Sequence, residues 1–223
     1  MFDNHLFRCS ALGRLMTNGR AKNEFGETCK TLLKEQYLYK KYGFVKDFKN
    51  KYIEKGLEVE EEAIALYSTY KENFYTKNKQ RFTNEFLSGE PDIITDIIID
   101  IKSSWNAFTK PSNKDKIDKD YYYQLQGYMD LTGLKKAKIV YVLVDTPRHL
   151  IEDEKRKLSW DMGNVTDLNE NILEAYVQIE KNHDFSIMPM DERIAEFDID
   201  YDEECIEQIK LRVIEARKYL NCM

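Results

Sequence analysis

The chain of 223 residues contains no run of about 18 uncharged apolar residues, so no membrane-spanning helix is expected. Its opening stretch, MFDNHLFRCS, lacks the basic-then-apolar order of a secretory signal, and a cytoplasmic location is the expectation. Cysteine is sparse and scattered: Cys9, Cys29, Cys205 and Cys222 form no CxxC pair and have no companion pair of histidines. Neither a disulfide framework nor a zinc site is expected from that spacing. Internal repeats, low-complexity tracts and a clear linker are also missing, which leaves one domain spanning residues 1–223. Positive charge is in deficit, with 34 Lys+Arg against 40 Asp+Glu and a net charge of −6. At first sight an acidic chain argues against nucleic acid as a partner.

The deficit is local. Residues 1–149 carry 25 Lys+Arg and 21 Asp+Glu, net +4, whereas residues 150–223 carry 9 and 19, net −10. The first two thirds are therefore mildly basic. The acidic third is expected to face away from any polyanion or to dock a basic partner.

Apolar periodicity predicts helix through residues 8–38, broken at Gly19, on Leu12, Leu15, Met16, Leu32 and Leu33. A Lys- and aromatic-rich stretch, KKYGFVKDFKNKYIEK, covers residues 40–55. A further helix is expected from about 54 to 70, with Leu57, Ala63, Ile64, Leu66 and Tyr67 on its buried side. Beyond Phe82 the pattern changes to dense β-branched residues, Ile93, Ile94, Ile97, Ile98, Ile99 and Ile101, with Thr95-Asp96 as a tight turn. Residues 109–120 (TKPSNKDKIDKD) read as a polar loop. A helix over 121–131 stops at Thr132-Gly133, and a buried strand follows over 138–144. Two amphipathic helices, 167–182 and 202–221, close the chain, joined through Met188-Pro189-Met190. The sum is an α/β arrangement with a small mixed sheet between helices.

The stretch GEPDIITDIIIDIKSSW, residues 89–105, carries the chemistry. On a strand through 97–102, alternation puts Asp100 and Lys102 on one face and Ile99 and Ile101 on the other. Asp92, on the preceding strand, falls near a hairpin partner of Asp100. Two carboxylates and an ammonium then converge at the edge of an isoleucine-rich sheet, where unpaired charge is costly. Paired carboxylates bind hard divalent cations such as Mg²⁺ through oxygen, and a neighbouring Lys can position or deprotonate water. That is equipment for phosphodiester hydrolysis. Taken alone, the same residues also fit a solvated surface ion pair.

Pro91-Asp92 followed by Asp100-Ile101-Lys102 resembles the signature of the PD-(D/E)XK nuclease superfamily. Gln124-Leu125-Gln126-Gly127-Tyr128 has the Q-x-x-x-Y spacing of its RecB-like branch. YYYQLQGYMDLTG with the following KIVYVLVDTP is similar to phage lambda exonuclease and YqaJ-type proteins. Upstream, KGLEVEEEAIALY matches that family's G-x-x-x-E-x-x-A pattern at Gly56, Glu60 and Ala63. The ordered set spans about residues 54–147. It implies a restriction-endonuclease-like αβββαβ core, with a helical N-terminal extension (1–53) and an acidic helical C-terminal region (150–223).

The resemblance also implies roles. Asp92, Asp100, Glu60 and the backbone carbonyl of Ile101 would hold Mg²⁺, with Mn²⁺ as a substitute, and Lys102 would activate water. Gln124 would orient Lys102 or the scissile phosphate, and Tyr128, on the same helix side, would support it. Glu60 has rivals in Glu58, Glu61 and Glu62, but it shares a helix face with Ala63, Ile64 and Tyr67; Glu90 is an outside candidate. Ser10 sits where relatives place a Ser near a DNA 5′-phosphate, and reads equally as a helix N-cap. Lysines in 40–55 and 109–119 are candidates for phosphate contacts. The cysteine spacing does not fit the iron–sulfur cluster of some RecB-like nucleases, and none of His5, His149 and His183 falls in a motif.

The implied activity is Mg²⁺-dependent hydrolysis from the ends of linear double-stranded DNA, 5′ to 3′. It would act in the cytoplasm of a bacterial or phage-infected cell, beside an annealing or recombinase protein, and as a homotrimer by analogy. The alternatives are a DNA endonuclease of the same superfamily and a catalytically inactive DNA-end-binding module.

Overall fold

The computed structural model describes residues 1–21, 24–46, 50–112, 116–162 and 170–223. Its elements run in chain order as follows. Strand β1 (Phe7–Arg8) leads into a 3₁₀ turn (Cys9–Ala11) and helix α1 (Leu12–Leu15). Helices α2 (Glu27–Tyr42), α3 (Lys51–Glu58) and α4 (Glu60–Tyr70) come next. Strands β2 (Phe82–Thr83), β3 (Leu87–Gly89), β4 (Ile93–Ile94) and β5 (Ile98–Ser103) precede helix α5 (Lys119–Thr132) and strand β6 (Lys136–Val142). The chain finishes with α6 (Arg148–Asp161), α7 (Glu170–Lys181), α8 (Met190–Arg193), β7 (Ile194–Asp200) and α9 (Glu203–Asn221). Among the described residues no helix is long and apolar enough to cross a membrane.

The central sheet has the order β4-β5-β6-β7. β4 and β5 form the expected hairpin, Ile93 opposite Ile99, turned by Thr95, whose N–H donates to the Ile97 carbonyl at 2.9 Å. β5 and β6 run parallel, Asp100 opposite Ile139, because α5 crosses over between them. Strand alternation splits the sheet's side chains between two cores. Ile98, Ala137, Ile139, Tyr141, Phe197 and Ile199 face α5, α9 and the N-terminal helices. Ile99, Ile101, Val140, Val142 and Ile194 face α4 through Val59, Ala63, Ile64 and Tyr67. This is the small mixed sheet between helices expected of a restriction-endonuclease-like α/β core. A smaller sheet, β1-β3-β2, lies beside it.

Several expectations change. The helix foreseen over 8–38 exists only as α1 and α2. Between them a β-bridge pairs Asn18 with Phe25, and the Gly26 N–H donates to the Thr17 carbonyl at 3.0 Å. The helix foreseen over 54–70 is two helices that break at Val59. The break turns α3 away from the sheet, so Leu57, expected inside, is 72% exposed. Two elements were not anticipated. α6 carries little apolar signal and buries only Leu150. β7 lies in the segment read as a connection, and it pairs with β6 along its whole length, Lys136 opposite Asp200 through Val142 opposite Ile194. The loop reading of 109–120 falls partly on residues 113–115, which lie outside the described residues, as do 167–169 of the helix expected over 167–182; α5 begins at Lys119, capped by the Asp118 side chain.

The acidic C-terminal region is bound into the fold by its arginines. Arg212 of α9 donates to the carbonyls of Leu15 (3.2 Å) and Thr17 (3.0 Å), and Arg217 donates to those of His5 (3.0 Å) and Glu85 (2.5 Å). These buried guanidiniums satisfy backbone acceptors that no local element reaches.

Candidate active site

β5 supplies the site because its α5-facing row stops being apolar partway along. Ile98 is buried in the core, and the next two residues on that face are Asp100, 1% exposed, and Lys102. Their side chains form an ion pair at 2.5 Å. The contact is made by the buried Oδ2 of Asp100. Its other oxygen accepts from Gln124 Nε2 of α5 at 3.3 Å. Gln124 Nε2 also donates to the Tyr128 hydroxyl at 2.9 Å, across one helical turn. The resemblance implied that Gln124 orients Lys102 or phosphate; its hydrogen bonds here go to Asp100 and Tyr128.

Asp92 reaches the site from the start of the hairpin. Its Oδ2 accepts from the Ile101 N–H at 2.8 Å, which fixes the carboxylate across from Asp100. Burial, then the Asp100 carboxylate, push the Asp92 carboxyl up to about 7, against the opposing pull of Lys102. Burial works against the Lys102 ammonium, but Asp100 and Asp92 outweigh it and raise its pKa above the ordinary lysine value. The Lys102 ammonium also lies 5.1 Å from the Tyr121 ring centre.

Glu60, the first residue of α4, lines the same cleft of about 340 Å³ as Asp92, Ile101, Lys102 and Tyr121. Its carboxylate pairs with Lys77. The rivals diverge: Glu58 lies 3.6 Å from His149, and Glu61 and Glu62 are exposed. Gly56 walls the cleft, and a Cβ there would meet nothing within 4 Å, so the wall is bare. A larger hollow, about 770 Å³, runs along α4 past Ile64 and Tyr75; Glu61 and Lys77 line it, but Asp92, Asp100, Lys102 and Glu60 do not.

Two buried carboxylates, one facing the Lys102 ammonium and the other with its pKa pushed up to about 7, suit a hard divalent cation bound through oxygen. Among the described residues no group of three or more His, Cys, Asp or Glu side chains is gathered into a metal cage. Glu60 and Lys102 are each engaged by a partner of opposite charge.

Ser10 lies within the 3₁₀ turn rather than at a helix N-cap, since the cap is Arg8. It is exposed and lines a small hollow of about 120 Å³ with Arg8, Arg81, Ser88, Glu90 and Tyr128. Glu90 pairs there with Arg81 at 3.0 Å. Gly89 keeps the hollow and the active site in contact: a Cβ on it would lie 2.7 Å from the Tyr128 ring and 2.9 Å from Cys9 Sγ. Tyr128 thus stands between the two.

One lysine of the 40–55 stretch is not available to phosphate. Lys55 is 0% exposed and donates to the carbonyls of Ser104 (2.9 Å) and Trp105 (3.1 Å), just past β5. Burial brings its pKa down to about 8. Nothing in the sequence separates Lys55 from its exposed neighbours, because its burial depends on the strand end that α3 meets. In the same stretch, residues 47–49 lie outside the described residues.

No family model matches the chain, and no curated protein matches it by sequence. Solved structures do. A phage-related exonuclease from Haemophilus somnus 129PT superposes with a TM-score of 0.73 at 29% identity, over 98% of this chain and 94% of that one. The chain is thus similar over nearly its whole length to a phage-related exonuclease, which is consistent with the resemblance of its motifs to the YqaJ-like branch of the PD-(D/E)XK superfamily. LHK-Exo, an alkaline exonuclease from Laribacter hongkongensis, shares this fold, with a TM-score of 0.60 at 17% identity over 99% of this chain and 90% of its own. Its complex with dAMP gives a TM-score of 0.63 at 16% identity. The structural similarity extends over residues 1–53 and 150–223 as well as the motif-bearing core.

Proposed function

We propose that the chain is a metal-dependent deoxyribonuclease, an exonuclease that hydrolyses phosphodiester bonds from the ends of linear double-stranded DNA, 5′ to 3′. The observation that carries this reading is the buried Asp92–Asp100 pair with Lys102 and Gln124 at the open edge of β5, in a fold shared with exonucleases. Asp92, Asp100, the Ile101 carbonyl and Glu60 would hold Mg²⁺ or Mn²⁺. The ion supplies Lewis acidity and a water of lowered pKa. Lys102 keeps its proton under the influence of Asp100 and Asp92, so neutralising those carboxylates loosens it and lets the amine position and deprotonate the attacking water. Gln124 holds Asp100 in place, and Tyr128 anchors Gln124. The small hollow offers the Arg8 guanidinium and the Ser10 hydroxyl to a terminal 5′-phosphate, with Arg81 available once it leaves Glu90.

The partners follow from this reading: a duplex end, an annealing or recombinase protein that takes the remaining strand, and further copies of the chain as a ring of three. The C-terminal acids would face away from the DNA. Digestion of linear and closed-circular duplex with Mg²⁺ tests the activity, and separate 5′ and 3′ end labels test polarity. Equal attack on circular DNA would overturn end dependence in favour of an endonuclease. No cleavage of either would overturn the nuclease reading and leave an inactive end-binding module.

A further inference from the structure

The small hollow around Ser10 does not close on itself. Arg8 and Ser88 line it on one side, and the same two residues line a longer groove of about 560 Å³ on the other. That groove runs between β1 and the C-terminal half of α2, over Tyr39 and Lys40, to Phe44. Tyr39 is 60% exposed and Phe44 65%. Phe44 stacks on Tyr42 with ring centres 5.6 Å apart, so its plane is held rather than swinging free. Lys40 sits 5.0 Å from the Phe2 ring centre. Arg8 makes no ion pair among the described residues, and the acid in the lining, Glu35, is engaged by Arg14 at 2.8 Å and Lys46 at 3.0 Å. His5, in the floor, is pushed down to about 4, first by burial and then by the nearby positive charges of Lys40 and Arg217.

Exposed aromatic faces interleaved with unneutralised cations form the pattern that binds unpaired nucleic acid: bases stack on the rings and phosphates meet the charges. A volume of about 560 Å³ is that of a small-ligand site and takes one or two unpaired nucleotides, not a duplex. The groove starts where the terminal phosphate of the cut strand would sit, so its occupant is fixed by continuity. We propose that it holds the unpaired nucleotides of a 5′ single-stranded extension, which lets the protein engage a tailed DNA end and release the tail as a short oligonucleotide. This rests on the exonuclease reading above. The extension threads past Arg8 and Ser88, its bases lie on Tyr39 and Phe44, and Arg8 and Lys40 meet its phosphates.

The test is fluorescence anisotropy on metal-free protein with three duplexes of identical paired sequence. One is flush with a 5′-phosphate, one carries a three-thymidine 5′ extension, and one carries three abasic phosphates in its place. The tailed duplex is expected to bind several-fold tighter than the other two. The double variant Tyr39→Ala/Phe44→Ala removes exposed rings only. It is expected to weaken the tailed duplex about tenfold, the worth of roughly one stacked base, and the flush one less than about twofold. Equal affinity for all three duplexes, or a variant that binds the tail as tightly as the wild type, overturns the proposal. Mg²⁺-dependent cleavage of the flush duplex is scored separately. Groove-dependent binding by a protein that cuts nothing would support the groove and overturn the exonuclease reading; cleavage without groove-dependent binding would do the reverse.

Discussion

The Asp92–Asp100 pair makes the stability of the metal-free protein depend on pH, and divalent metal should cancel that dependence. Asp92 is held at about 7 by burial and by Asp100, against an ordinary value of 3.8. The folded state therefore binds a proton that the unfolded chain has already lost between about pH 4 and 7. By linkage, stability is full below about 4, falls as pH rises through this window, and stays low above 7. The gap corresponds to about 4 kcal/mol at most. A divalent cation on the two carboxylates removes the repulsion and competes with the Asp92 proton. At a hundred times its dissociation constant it adds about 2.7 kcal/mol, and each kcal/mol is worth roughly 2–4 °C for a domain of this size. Thermal unfolding with and without Mg²⁺ at pH 5.5 and 8.5 should thus show a rise of several degrees at pH 8.5 and little at pH 5.5. Asp92→Asn should be more stable than wild type without metal at pH 8.5 and should not respond to Mg²⁺. An equal response at both pH values, or an unchanged response in Asp92→Asn, would refute the assignment of this pair as the metal site.

Lys102→Ala should lose turnover by at least about a hundredfold, the worth of one proton-transfer group, while filter binding of duplex DNA is retained; full activity in that variant would remove Lys102 from the mechanism. Gly89→Ala forces a Cβ to 2.7 Å from the Tyr128 ring. It should cost about 1–3 kcal/mol in urea unfolding and reduce cleavage through the Tyr128–Gln124–Asp100 chain, whereas Ser88→Ala should unfold like wild type. Lys55→Met should leave the Ser104 and Trp105 carbonyls without their donor, at about 1–3 kcal/mol. It should also abolish a rise in wild-type stability between pH 8 and 10.5, because a lysine held at about 8 in the folded state sheds its proton before the unfolded chain does. A persistent rise in Lys55→Met would assign it to another group.

The convergence of the candidate site residues was legible because they sit on the most regular part of the sequence. A dense isoleucine run can hardly be anything but a buried hairpin, and two charges two apart within it must share a face, as Asp100 and Lys102 do. Gln124 and Tyr128 meet because i and i+4 always do on a helix. Glu60 was separated from Glu61 and Glu62 by helix phase alone. The failures share a cause. Leu57 was assigned to the core on the phase of one continuous helix, and the turn at Val59 reset that phase. β7 falls in a segment read as a connection although IAEFDID alternates acids with apolar residues, the pattern of a strand with one buried face; its polar face meets Lys71 and Lys138 through Glu196. The N-terminal segment reads as helix from its leucines, but Arg212 takes up backbone carbonyls there that a helix would have used.

The sequence by itself determined the alternation that sets Asp100 and Lys102 together, the turn that brings Asp92 opposite them, and the helix phase that selects Glu60, Gln124 and Tyr128. All of these follow from periods of 2 and 3.6 within one element or between adjacent ones. Only the tertiary structure decided that Lys55 is buried, that Arg8 faces both the Ser10 hollow and an aromatic groove, and that the acidic region closes the sheet with β7. Those outcomes depend on contacts between segments tens to hundreds of residues apart, where burial and charge compensation, rather than local period, set which side chain is inside.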